Sequence, residues 1–252
     1  MKMAIKVACA GAVAAAMSWT PLAVGDYAYV SGTGGEPWGM NGNVNAMNDV
    51  FGVGNWTRYD FPTAVGAGLW DNSFILMDGG DGATDEFDAF VNANRADMEA
   101  WVAAGGRLII GRASWGGQNG LDLGFGVNIY NDMASDLGHA FDTSHPVYDG
   151  PYGFTGADFD GDYLAHDHLT GDFTPLMYGD GGTDHVLLAE KAYGAGHAIF
   201  HGLTLPFFGE HDLWSPNCDE FHRNLLYYGY TVPGPGSLAL LALAGVARRR
   251  RR

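Results

Sequence analysis

Between Ser73 and Gly117 the hydrophobic period of the chain switches from strand to helix and back, and this switch limits the folds open to it. Ser73 to Met77 is a short apolar run ending in Asp78-Gly79-Gly80-Asp81-Gly82, a turn signature. A helix is predicted from Thr84, with Asp85 and Glu86 at its positive end and Phe87, Phe90, Val91, Met98, Trp101 and Val102 on one stripe. Gly105-Gly106 stops it. Arg107 to Ile110 is then apolar almost throughout, as a central parallel strand buried on both faces would be. Strand, helix and strand in this order predict an α/β domain, and the turn Arg112-Ala113-Ser114-Trp115-Gly116 leaves the second strand.

Around this unit the pattern predicts a strand at Tyr27 to Gly32, a glycine-rich loop to Asn43, a helix at Val44 to Phe51 and a strand at Trp56 to Phe61. From Gly117 to Gly171 glycine, aspartate and aromatic residues follow one another with no long amphipathic helix, and little structure is assigned. Three strands are predicted after that, at Thr174 to Tyr178, His185 to Glu190 and His197 to Leu203, the last two paired as a hairpin across Tyr193-Gly194-Ala195-Gly196. Ser215-Pro216 opens a final helix, Cys218, Phe221, Leu225 and Tyr228 form its buried stripe, and Gly229 stops it.

The 252 residues, 47% hydrophobic, suffice for one sizeable core. The formal charge of −16 includes Lys2, Lys6 and Arg248 to Arg252; setting those seven aside leaves six cations against 29 carboxylates, or −23. Such a surface repels phosphate backbones and disfavours a nucleic-acid partner, while it suits salty surroundings, divalent cations or neutral glycans. With Cys9 in the N-terminal apolar segment, Cys218 is left alone in the rest of the chain, so the core rather than a disulfide framework has to hold the fold.

Both termini carry address-like patterns. Residues 1–25 place Lys2 and Lys6 before the small-residue apolar run Val7 to Met17 and then Ala23-Val24-Gly25, the layout of a secretory signal peptide. Residues 231–252 contain a Pro/Gly break, an apolar stretch from Leu238 to Ala247 and five arginines. This tail resembles the PEP-CTERM sorting signals of exported Gram-negative proteins, with Gly234 where a Glu is usual and an apolar stretch shorter than a bilayer needs. The resemblance implies export machinery and an exosortase-like enzyme as partners, transient membrane contact with the arginines held cytoplasmic, and a destination at the cell surface or extracellular matrix.

Residues 26–230 are expected to form the domain itself. Its strand ending in Asp-Gly-Gly, the helix leading to Ala-Gly-Gly, Leu108 to Ile110 with its turn, the His145-Pro146-Val147-Tyr148-Asp149-Gly150 segment, the hairpin and the closing helix resemble the class I glutamine amidotransferase-like superfamily, in particular its ThuA-like branch. That resemblance implies a flavodoxin-like three-layer α/β sandwich with a mostly parallel central sheet and a late β-hairpin. The family's catalytic Cys would fall on the turn that here holds Ser114, and no His-x-Glu pair occurs anywhere, so glutamine hydrolysis is not expected.

Ligands of open α/β sheets bind outside the carboxyl ends of the strands. The loops there carry Glu36, Trp38, Asp78, Asp81, Trp115 and Trp214, carboxylates beside aromatic faces, which is suitable equipment for gripping sugars. Ser114, Glu210 and His211 are the weaker catalytic candidates; His139, His145 and His201 are further possible bases, and Arg112 leaves only half the glycine pattern a nucleophile elbow needs. Asp158, Asp160 and Asp162 resemble half a calcium loop, and His166 and His168 alternate as strand ligands would; no cofactor is expected, although these residues would admit a divalent cation such as calcium. The expected function is polysaccharide binding or support by a non-catalytic domain, with a glycan or ester hydrolase and a structural matrix component as alternatives.

Overall fold

The structure, a computed structural model, describes residues 26–115, 120–208 and 217–232. The signal-peptide reading of residues 1–25, nearly all of the tail, and Glu210, His211 and Trp214 lie outside the described residues.

The first half follows the predicted α/β pattern. Strand β1 (Tyr27–Ser31) leads to helix α1 (Gly42–Phe51) and β2 (Trp56–Asp60); β3 (Phe74–Asp78), α2 (Thr84–Ala103) and β4 (Arg107–Gly111) follow. Side chains alternate across each strand and so divide the core. Ile75 and Met77 of β3 face the stripe Phe87, Phe90, Val91, Met98 and Val102 of α2. Phe74 and Leu76 face the other way, against Ala46, Met47 and Phe51 of α1.

The second half departs from expectation. The stretch read as irregular contains β5 (Leu121–Gly124), β6 (Val127–Ala140), the two-residue strands β7 (Asp149–Gly150) and β8 (Gly153–Phe154), and β9 (Asp158–Gly171). Then come β10 (Thr174–Gly179), β11 (Gly182–Tyr193), β12 (Gly196–His201), the single turn α3 (Leu205–Phe208) and α4 (Cys218–Thr231). Cys218, Phe221, Leu225 and Leu226 of α4 pack on the α1 side of the sheet. Gly229 does not stop this helix; it is buried within it, where a Cβ would meet the Ile109 side chain at 2.8 Å.

The principal sheet has ten strands in the order β10-β6-β9-β11-β12-β4-β3-β1-β2, with β5 added to β6. The flavodoxin-like, mostly parallel sandwich is thereby overturned. The parallel pairings are β1–β2, β1–β3, β3–β4 and β4–β12. Six antiparallel ones outnumber them among the described residues. Parallel neighbours need long crossovers, normally helical. Between β4 and β12 no such helix is described, so the strands there return by turns and pair antiparallel. In that half β10 pairs with both β6 and β11, and β9 pairs with both β6 and β11, so four strands close into a ring. The strand β12 belongs to both halves, antiparallel to β11 and parallel to β4.

Candidate functional site

The parallel strands all end on one side, and there the loops after β1, β4 and β12 meet the middle of β9. Between them lies a cleft of about 300 Å³. Trp115, Tyr163 and Asp162 are exposed at its edge, His166, Thr204 and Phe208 are buried at its base, and Trp38 and Phe207 complete the wall.

Two of the wall residues hold unusual backbone conformations. Trp38 has φ 54° and Tyr163 has φ 61°, left-handed values that cost a bulky residue of order 1–3 kcal/mol unless the surroundings impose them. At Trp38 the turn is closed by the Gly39 amide donating to Glu36 O and the Met40 amide to Pro37 O. Gly80 permits the indole to lie on the β3 loop, since a Cβ there would sit 2.6 Å from the ring. At Tyr163 the amide donates to Asp136 Oδ1 at 2.8 Å, and the Thr204 hydroxyl donates to Tyr163 O at 3.0 Å.

His166 is the hub of the aromatic wall. It meets Trp115 edge to face at 4.7 Å between centroids, Trp38 at 5.9 Å and Tyr163 at 6.0 Å. Burial lowers its imidazole pKa; the Ser114 backbone and Asp81 act in the opposite direction without offsetting it, which favours the neutral ring. Its Nδ1 is buried and has no hydrogen-bond partner among the described residues.

Beneath the cleft lies a polar layer. The Ser114 amide donates to Asp167 Oδ2 at 2.9 Å, its hydroxyl donates to Asp167 Oδ1 at 3.3 Å, and Asn131 Nδ2 donates to Ser114 O at 2.5 Å. Ser114 is fully buried, and no histidine bonds its hydroxyl among the described residues. Burial pushes the Asp167 carboxyl up to about 6, against the opposing pull of Arg112, Ser114 and Asn131. Arg112, itself buried, reaches Asp88 on α2 with Nε 3.2 Å from Oδ1. The close approach of Gly202 fixes Asp167 in place, for a Cβ there would fall 1.7 Å from Asp167 O.

The described residues predicted as ligands do not all reach the cleft. Trp38 and Trp115 line the cleft, whereas Glu36 and Asp78 belong to a network that anchors the β1 loop. Asn43 Nδ2 donates to Asp78 Oδ2 at 2.7 Å and to Tyr29 Oη at 3.0 Å, Tyr29 donates to Glu36 Oε2 at 2.7 Å, and Glu36 pairs with Arg58. Burial pushes Asp78 up to about 6, opposed by the bonds from Asn43 and the Gly80 amide. Asp81, together with Glu36, lines a neighbouring groove that shares Trp38 and Phe207 with the cleft.

Asp158, Asp160 and Asp162 lie exposed along β9; Asp158 is bonded to His139 at 2.7 Å and Asp162 reaches the cleft. Asp162 shares the cleft with His166, but among the described residues these carboxylates form no close ligand cluster with His166 or His168. His168 instead joins Asp132 and His185. Sequence reasoning missed Tyr163, Thr204 and Asp167 as parts of the site. Only the alternation through His166-Asp167-His168 hinted at the last.

No family model and no curated protein matches the chain. Solved structures similar to it include a catalytic mutant of Gan42B, a GH42 β-galactosidase from G. stearothermophilus, at 11% identity and TM-score 0.45 over 80% of this chain and 29% of that one. An exo-β-1,4-mannosidase, Op5Man5, from Opitutaceae bacterium strain TAV5 is similar at 11% identity and TM-score 0.47 over 82% and 36%. A β-galactosidase from Rahnella sp. R3 is similar at 10% identity and TM-score 0.46 over 81% and 30%. The chain spans about a third of the length of these proteins, and likeness at this level assigns neither activity nor substrate.

Proposed function

We propose that residues 26–230 bind a neutral polysaccharide in the cleft around His166 without cleaving it, as the working domain of an exported protein sorted to the surface of a Gram-negative bacterium. The observation that carries this reading is the convergence of Trp38, Trp115 and Tyr163 on His166 beside Asp162 and Thr204. Aromatic faces grip the apolar C–H faces of a sugar ring, and a few polar groups fix its hydroxyls. The volume suits one or two rings, at the small end of ligand pockets. The strong negative charge favours a neutral chain over an acidic one.

The non-catalytic part of the reading rests on the carboxylates. Glycoside hydrolysis commonly uses a pair of them across the scissile bond. Asp162 is the one carboxylate among the described residues lining the cleft itself; Glu36 and Asp81 line the adjoining groove, Glu36 bonded to Tyr29 and Arg58. Asp78 and Asp167 are buried and committed to Asn43, Gly80 and Ser114.

Affinity electrophoresis through gels containing β-glucan, xylan or galactomannan tests the proposal, with reducing-end release measured in parallel. Retardation by at least one polymer without release is expected. Release abolished by Glu210→Gln would favour the hydrolase, and absence of retardation by any neutral polymer would favour a matrix component. Sorting is tested by replacing Arg248 to Arg252 with uncharged residues, which should change retention or processed mass; no change in either counts against it.

A further inference from the structure

In the antiparallel half, β6, β9 and β11 each contribute one potential metal ligand to a common point. We propose that Asp132, His168 and His185 form a binding site for a first-row divalent transition metal, best suited to Zn²⁺, with a coordination position left for water or a ligand group. Their ligating atoms all lie within 4.8 Å of one another. Both imidazoles converge on one carboxylate oxygen, His168 Nδ1 at 2.8 Å and His185 Nε2 at 2.7 Å from Asp132 Oδ2.

The His185 contact has hydrogen-bond geometry, but the equally close His168 contact does not, and His168 Nδ1 is buried without a hydrogen-bond partner among the described residues. Two imidazole nitrogens from different strands thus point at one carboxylate oxygen, an arrangement that a shared cation would satisfy at all three atoms.

The surroundings fix the ligands before any ion arrives. Tyr130 stacks on His168 at 5.6 Å and 23°. His185 is packed by glycines: a Cβ at Gly181 would lie 2.7 Å from its Cβ, and one at Gly179 would lie 3.0 Å from its Nδ1. The turn between β10 and β11 is tied to β6, the Asp180 amide donating to Ser135 Oγ at 2.9 Å and the Asp136 amide to Asp180 Oδ2 at 2.8 Å. An open groove formed by Tyr130, Asn131 and Thr170 runs beside His168. Two imidazoles and one carboxylate suit zinc with an open position; calcium asks for six to eight oxygens, which this trio does not offer.

The full chain without an affinity tag, stripped with chelator, is titrated with ZnCl₂ against a chromogenic zinc indicator and, separately, with CoCl₂. One equivalent of Zn²⁺ per chain is expected. His168→Ala and His185→Ala should each weaken binding by about 100-fold while His139→Ala leaves it unchanged. Visible Co²⁺ d–d bands of low-symmetry type should appear in the wild-type chain, a readout that does not depend on the variants folding. Absence of saturable Zn²⁺ binding, octahedral aquo-type Co²⁺ spectra at saturation, or wild-type affinity in both folded histidine variants would overturn the site.

Discussion

Trp115 and His166 meet edge to face 4.7 Å apart, yet Trp115 is half exposed whereas His166 is almost completely buried. One ring therefore belongs to the core and the other is presented to solvent from it. An exposed indole held against a rigid base loses little conformational freedom when a ligand stacks on it, the general advantage of a preorganised site.

Trp115→Ala should therefore leave the thermal midpoint nearly unchanged and weaken polysaccharide binding by about tenfold, the equivalent of roughly 1.4 kcal/mol. Trp38→Ala should weaken binding and also loosen the β1 and β3 loops, because the indole packs on Gly80. Calorimetric titration with the retained oligosaccharide, paired with thermal denaturation, separates the two effects.

The two raised carboxylates should offset part of the acid-side loss of stability. Asp78 and Asp167 are raised to about 6 from 3.8, so the folded chain binds their protons first; their penalty is complete above about 6 and is relieved as pH falls toward 3.8. His201 and His222 are lowered by burial from 6.5 to about 4 and about 3, so their contribution is lost as pH falls below 6.5. The pairs oppose each other between about pH 4.5 and 6. Below that range Glu190 adds to the loss: burial pushes it up, but bonds from His145, His197 and Tyr228 outweigh burial and hold it far below the carboxylate range. Thermal midpoints should fall below pH 4.5. In Asp167→Asn, where one opposing proton is gone, they should rise more steeply with pH between about 4.5 and 6 than in the wild-type chain, and an identical slope there would contradict the assignment.

Arg112 lies between two buried carboxylates, Asp88 and Asp167. Replacing it with Met keeps most of the volume but leaves both acids without their cation, a loss of about 3–5 kcal/mol in urea denaturation. The Asp167 carboxyl should titrate still higher in that variant, as followed by carboxyl NMR.

The sequence announces its parallel half because each element there has one period. The run of Ile75, Leu76 and Met77 and the stripe from Phe87 to Val102 are buried as their spacing requires, except that Trp101 is half-buried against the core. The antiparallel half is obscured because its long strands are interrupted. Register shifts break β6 between Asn131 and Leu137, and buried glycines take the place of apolar residues, as at Gly161, where a Cβ would meet Phe208 at 2.4 Å. The calcium-loop reading of Asp158 to Asp162 came from the exposed face of such a strand. Within the site, Trp38 and Trp115 stand out as aromatic residues on loops after strands. Tyr163 and Asp167 are placed by the pairing of β9 with β6 across a gap of some 30 residues, which no local pattern encodes.

The most direct measurement is a crystal structure of the chain with a bound oligosaccharide from the polymer that retards it most. Sugar density stacked on Trp115 or Trp38, with hydroxyls bonded to Asp162, Thr204 or His166 Nδ1 and every glycosidic bond intact, is the expected result. A sugar bound elsewhere while this cleft stays empty at saturating ligand would contradict the assignment of the cleft around His166 as the binding site.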